Sequence, residues 1–241
     1  MEILNYLSGL KLIIIGNVRA EYKVLSIDKR IARGAEAYIY KGLFLELPCI
    51  IKLRIPKSYR HPILDSKIIR ERTIREARII MNARRIGVKA PAVLFMDPNA
   101  GILILEYIEG KLLRDVLKDL DAEEACKLAS IVGSYAALLH SNGIVHGDLT
   151  TSNIIYTDYG LFLIDFGLSD YSNDLEDMGV DVHLFLRSLE STLWRHAFML
   201  YVCFLKGYQE VVGKEQTLKI REKVREIRLR GRYVAERRVK Y

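Results

Sequence analysis

The chain has 241 residues, half of them hydrophobic and 28% charged, with 16 glycines and 5 prolines. That is enough to bury a core in one domain or two small lobes, and it excludes a disordered or fibrous chain. The net charge of +7 hides a division: residues 52–89 hold 12 Lys and Arg against 3 Asp and Glu, residues 90–213 hold 7 against 18, and residues 214–241 hold 11 against 4. Two basic segments around an acidic middle suit a polyanion such as RNA. A solvated helix face rich in Lys, Arg and Glu gives the same count.

The three cysteines, Cys49, Cys126 and Cys203, are odd in number, far apart and in no CxxC spacing. They predict buried reduced thiols in a cytoplasmic protein, not a metal cluster. The apolar run LKLIIIG is too short to span a bilayer. Glu2 stands where a signal peptide carries basic residues, and no small-residue cleavage site follows. The expectation is a soluble, cytoplasmic chain with no membrane association.

In chain order, residues 22–55 read as strands: YKVLSI, then RIARGAEAYIYKGLFLEL with RGAEA as a turn, then CIIKLRI, ended by Pro56. Residues 64–86 read as one long helix stopped by Gly87, with Pro91 beyond it. The stretch AVLFM-DPNAG-ILILEYI reads as a hairpin. Helices follow at about 111–120 and at 122–142, the second capped by Asp121 and stopped by Gly143. A tight hairpin, NIIYTDYGLFLIDFG, precedes helices at 174–191, about 193–212 and about 216–229. Strands and one helix followed mostly by helices predict an α+β protein.

Four signals fall in the order that ATP binding by a kinase-like fold requires. The strand–turn–strand IARGAEAYIY offers Ile31, Gly34, Ala35, Glu36 and Ala37 as a nucleotide-binding turn, with one glycine to close over phosphates. Read alone, it is an ordinary hairpin turn. Lys52, within the apolar strand CIIKLRI, is placed to reach the α and β phosphates. It needs a carboxylate partner, and Glu76 on the long helix is the candidate. The alternative is an edge-strand surface lysine.

The third signal is HGDLTTSN, with Asp148 to orient the proton of an attacking hydroxyl or water and Asn153 to hold Mg²⁺. The fourth is LIDFG, whose Asp165 would bridge Mg²⁺ to the β and γ phosphates. At the end of the strand ILILEYIEG, backbone groups of Glu106 and Ile108 are placed to bond an adenine edge.

Parts of an ordinary protein kinase are missing. Only 76 residues follow Asp165, there is no APE motif, and a helix begins soon after Gly167. Gly147 stands where arginine is usual in HRD, and Thr150 where serine/threonine kinases place lysine. The peptide-binding platform is mostly absent. That favours a specialised protein substrate, water, or regulation by a partner.

Taken together, RGAEAYIYKG, IIKLRIPKSYRHPILD, RTIREAR, GVKAPAVL, HGDLTTSNIIY, LIDFGLSD, DLEDMGVDVHLFLRSLEST and RGRY resemble the small atypical kinase/ATPase subunit of the KEOPS complex, the bud-site-selection kinase (PRPK-like) family. The resemblance covers about residues 28–241. It implies a compact bilobal protein-kinase-like fold. Residues 1–27 would be an extension, 28–108 an N-lobe with a small antiparallel sheet and one long helix, and 109–241 a reduced helical C-lobe with a basic tail. It implies ATP and Mg²⁺ as cofactors, Ser/Thr autophosphorylation in isolation and ATPase activity in the complex. The partners it implies are a TsaD-like threonylcarbamoyltransferase subunit and a small regulatory subunit at the N-lobe, and the process is N6-threonylcarbamoyladenosine formation on tRNA. By position it makes Lys52 and Glu76 the phosphate-anchoring pair, Asp148 the catalytic base, and Asn153 and Asp165 the metal ligands. It makes Asp181 the brace of the catalytic loop, and it puts Arg230, Gly231 and Arg232 near the partner and tRNA.

Three other readings compete. A RIO-type kinase is also short, but LIDFG and RGAEA argue against it. A small-molecule phosphotransferase shares HGD but needs a larger helical lobe. A nucleotide-sensing scaffold with little catalysis would leave metal and base positions unused, and here all are filled.

Overall fold

The computed structural model describes residues 11–12, 22–23, 25–33 and 37–238, with side chains for 25–32 and 37–230. Gly34, Ala35, Glu36, the side chain of Arg232 and most of the expected N-terminal extension lie outside the described residues. The fold is mixed α+β, with an antiparallel sheet in the N-terminal part and a helical C-terminal part. The chain divides into two units, residues 1–81 with 91–108, and residues 82–90 with 109–241.

In the first unit, β1 (Lys11–Leu12) pairs with β2 (Tyr22–Lys23). The main sheet is built from β3 (Leu25–Arg33), β4 (Ala37–Phe44), β5 (Leu47–Arg54), β6 (Val93–Asp97) and β7 (Ile102–Glu106). Its order is β3-β4-β5-β7-β6, all antiparallel. β5 therefore has a neighbour on each side, which explains its run of β-branched residues in CIIKL. Leu25, Cys49, Ile51, Leu53, Ile102 and Ile104 form the core of this unit.

Helix α1 (Pro62–Arg85) carries Asp65 in its first turn and Arg84 and Arg85 in its last, charges that complement its dipole. Its last turn, from residue 82, belongs to the second unit.

The second unit holds β8 (Lys111–Leu112), the single helical turn α2 (Leu113–Val116), α3 (Ala122–Ser141) and β9 (Ile144–Val145). The hairpin β10 (Ile154–Thr157) and β11 (Gly160–Leu163), β12 (Asp170–Tyr171), α4 (Leu175–Thr192) and α5 (Ala197–Arg238) complete it. Asp121 caps α3 by accepting from the Glu124 amide at 2.8 Å, as the sequence predicts.

Two expectations change here. The helix expected at 111–120 shrinks to α2, because Lys111 and Leu112 pair as a strand with Tyr156 and Ile155. The two expected C-terminal helices are both present, with α5 divided between them at Gly213 (φ 79°, ψ 171°), and what changes is that the second half runs on to Arg238.

The cysteine expectation is corrected. Cys126 on α3 and Cys203 on α5 form a disulfide, with Cα atoms 5.3 Å apart. Sequence spacing cannot see a pair 77 residues apart that helix packing brings together. Cys49 alone is a buried free thiol, pushed up to about 11 by burial and, less, by Asp28.

Candidate phosphotransfer site

The first unit supplies a buried cation pair. Lys52 sits on β5, inside the sheet and almost wholly buried, so it is not the edge-strand surface lysine that the sequence left open. Its Nζ lies 2.7 Å from Glu76 Oε1 on α1. Arg54, two residues along β5 and so on the same face, places Nη2 2.6 Å from the other oxygen, Glu76 Oε2. One buried carboxylate is thus held by two cations. Taking all three charges out of water is costly, and apolar side chains of similar volume in their place would cost less. An ion group kept at such a cost marks a functional candidate.

The other expected nucleotide-binding positions of this unit are placed less sharply. Ile31 is half exposed on β3, while Ala37 is buried at the start of β4, opposite Arg54. At the end of β7, Glu106 donates its N–H to Ala92 O at 2.9 Å, and its side chain accepts from the Ala92 amide at 2.9 Å. That backbone N–H is therefore already used, and Ile108, buried, follows two residues on.

The second unit supplies the loop chemistry. Asp181, buried on α4, accepts from the His146 amide at 2.5 Å and the Gly147 amide at 2.8 Å. This clamps the backbone just before Asp148. Asn153 Nδ2 donates to Asp148 Oδ2 at 2.7 Å and to Asp148 O at 2.9 Å. The amide nitrogen faces the aspartate, so the amide oxygen is the atom turned to other partners.

His146 is fully buried and bridges the loop to the DFG segment. Its Nε2 donates to Ile164 O at 3.2 Å, its Nδ1 accepts from the Asp148 amide at 3.3 Å, and its ring packs on Phe166 with centroids 4.8 Å apart. Burial holds its pKa below the ordinary value of 6.5, overriding the pull of Asp181, Asp165 and Asp148. A neutral ring is what these two opposite hydrogen-bond roles need. Ser169 Oγ donates to His146 O at 2.8 Å and adds a second tie to the same segment.

Asp165 has a left-handed backbone (φ 58°, ψ 69°), unusual for a residue with a Cβ, and its carboxylate accepts from the Gly167 amide at 3.3 Å. Strain of this kind collects at functional positions.

The RIO domain family model matches residues 54–174, which run from Arg54 past the loop and the DFG segment. The chain is 46% identical over 211 residues to KEOPS complex subunit Bud32 of Pyrococcus abyssi, covering 85% of this chain and 96% of that one. The chain belongs to the Bud32 family. A relative in Archaeoglobus fulgidus, a probable serine/threonine-protein kinase BUD32 homolog, is 40% identical over 188 residues, 77% of this chain and 88% of its own. A probable bifunctional tRNA threonylcarbamoyladenosine biosynthesis protein of Methanothermobacter thermautotrophicus is 42% identical over 203 residues, 84% of this chain. That match spans about a third of the relative's own length (36%). The sequence argument that LIDFG and RGAEA oppose a RIO-type chain is corrected to this extent: the RIO domain family model matches the central half of the chain.

In this Bud32 family member the structure brings together Lys52 with Glu76, and Asp148 with Asn153 and Asp181. Sequence reading passed over Arg54, His146, His140 and Tyr208. Arg54 was legible as the next same-face position on the Lys52 strand, and His146 as the fixed histidine of HGD. The tail residue Arg230 pairs with Glu176 on α4, and Arg228 with Glu190 at 2.7 Å, so part of the tail's charge is answered within its own unit. Among the described residues, no group of three or more His, Cys, Asp or Glu side chains is arranged to hold a metal, and no helix is long and apolar enough to cross a membrane.

Proposed function

We propose that the chain is an ATP- and Mg²⁺-dependent atypical serine/threonine kinase and ATPase that works as a subunit of a KEOPS-like complex. Its task there is to support N6-threonylcarbamoyladenosine formation on tRNA. The observation that carries the ATP reading is the buried Lys52–Glu76–Arg54 group. Two cations and one carboxylate buried on a central strand are costly to keep, and a polyphosphate is a ligand to which such cations make charge-assisted contacts.

In this reading Lys52, oriented by Glu76, holds the phosphates. Ile31, Gly34, Ala35, Glu36 and Ala37 cover the nucleotide, and the backbone at Glu106 and Ile108 meets the adenine. Asn153 and Asp165 offer two hard oxygens, a donor set that fits Mg²⁺. Bound there, Mg²⁺ would neutralise phosphate charge. Asp148, held by Asn153, orients the attacking hydroxyl or water and accepts its proton. Asp181 keeps the loop in place by its two backbone contacts.

The tRNA role rests on the names of relatives and on charge. In the bifunctional relative, a segment like this one shares a polypeptide with a longer second part. We take that part's counterpart here to be a separate TsaD-like transferase subunit, docked on the second unit and tail, with a small regulatory subunit on the first unit. The acids of the basic segment favour RNA contact: Asp65 and Glu76 are buried, which leaves Lys67, Arg70, Arg75 and Arg78 exposed on α1 with Glu71 as the one exposed acid.

Titration calorimetry with ATP and Mg²⁺ tests the nucleotide site. Lys52→Met should weaken ATP binding about ten-fold or more, the loss of one charge-assisted contact. Arg54 stays on Glu76, so the variant should remain folded. Unchanged affinity in a folded variant would remove Lys52 from the site.

A further inference from the structure

The helix α5 follows the catalytic segments by some thirty residues, yet it reaches them through a buried chain of side chains. Tyr208 Oη lies 2.9 Å from His140 Nδ1, and His140 Nε2 lies 3.3 Å from Asp181 Oδ2. Asp181 in turn accepts the His146 and Gly147 amides that flank Asp148. All three side chains are at least 97% buried.

Donor roles follow from chemistry. An ionised Asp181 only accepts, so His140 carries its proton on Nε2. With one proton on the ring, Nδ1 is the acceptor and the Tyr208 hydroxyl donates to it. Burial and the nearby Asp181 charge push the Tyr208 hydroxyl well above its usual range and keep that proton in place.

The backbone is arranged to make this contact possible. α3 and α5 approach closely at two glycines. A Cβ on Gly133 would come within 1.9 Å of Phe204 O, and one on Gly207 within 1.9 Å of Ser130 O. Ser134 Oγ donates to Gly207 O at 3.1 Å across the same contact. The Cys126–Cys203 bridge ties the same two helices one to two turns away. Simple core packing does not need a tyrosine hydroxyl here. Tyr201, on the same helix and also buried, keeps a hydroxyl with no partner among the described residues.

We propose that Tyr208 is a positioning residue for phosphoryl transfer: through His140 it fixes the Asp181 carboxylate, which holds the loop carrying Asp148. This rests on the ATP-dependent reading of the loop. It adds the first half of α5 to the working machinery of the second unit.

The test uses the full chain and three variants, Tyr208→Phe, His140→Gln and Tyr201→Phe. The readouts are steady-state phosphate release from Mg²⁺-ATP and ¹⁵N NMR of the His140 ring and the His146 and Gly147 amides. Tyr208→Phe keeps the ring stacked on Phe204 and removes one buried hydrogen bond. It should lower kcat roughly five-fold with the KM for ATP unchanged. The His140 ring should show the Nε2–H tautomer in the wild type, and the two loop amides should move in Tyr208→Phe. Tyr201→Phe should leave all of these unchanged. An unchanged kcat in a folded Tyr208→Phe, or a wild-type ring protonated at Nδ1, would overturn the proposal. If the wild type releases no phosphate, the ATPase reading fails separately. The NMR arm then decides: movement of the loop amides in Tyr208→Phe and His140→Gln upholds the positioning chain, and unmoved amides overturn it.

Discussion

Gly147 shows how one residue can carry both a structural and a functional message. It has φ +78°, and a Cβ there would come within 2.2 Å of Leu168 O. The position therefore excludes every side chain, including the arginine that ordinary protein kinases place there. The absent arginine, visible in the sequence, is the outward sign of a backbone that passes tight against the segment after DFG. We expect Gly147→Ala to lower the unfolding free energy in urea by about 2–4 kcal/mol, from left-handed strain plus the clash. A loss under half a kcal/mol would mean that the loop relaxes freely and that the tight pass has no structural weight. At this scale the sequence was most informative where a motif fixes spacing, as for Lys52, Asp148, Asn153 and Asp165. It was silent on His140 and Tyr208, whose partners lie 41 and 68 residues away.

Among elements, periodicity and capping located α1, α3 and α4 to within about two residues, because each has a capping or terminal charge pattern of its own. β8 was missed because two residues carry no period, and only pairing with β10 makes them a strand. The α3–α5 bridge was missed for the same reason, since it depends on packing between distant segments. It closes a long loop, so its reduction should cost about 2–4 kcal/mol of stability in denaturant. Because both cysteines sit on the helices that carry His140 and Tyr208, reduction should also lower turnover in the folded state. Equal denaturation midpoints with and without a strong reductant would show that the bridge contributes nothing. Intracellular proteins of hyperthermophiles are rich in disulfides, so the bridge does not by itself assign the chain to an extracellular setting.

For the whole molecule, fold class and family were legible because ordered motifs span most of the chain, and the comparisons place it in the Bud32 family. Charge was legible only as a count. The structure redistributes it: buried Asp65 and Glu76 leave α1 more basic at its surface than its composition, while Glu176 and Glu190 partly neutralise the tail. On the proposed function, Asp148, clamped through Asp181 and Asn153, serves ATP-dependent phosphoryl transfer. Phosphate release from Mg²⁺-ATP by the full chain, wild type against Asp148→Asn, tests it most directly. The asparagine keeps the fold and the contact to Asn153 but cannot take a proton. The expected result is a fall of about a hundred-fold or more in kcat, with ATP affinity retained. Equal release by the two proteins would contradict it.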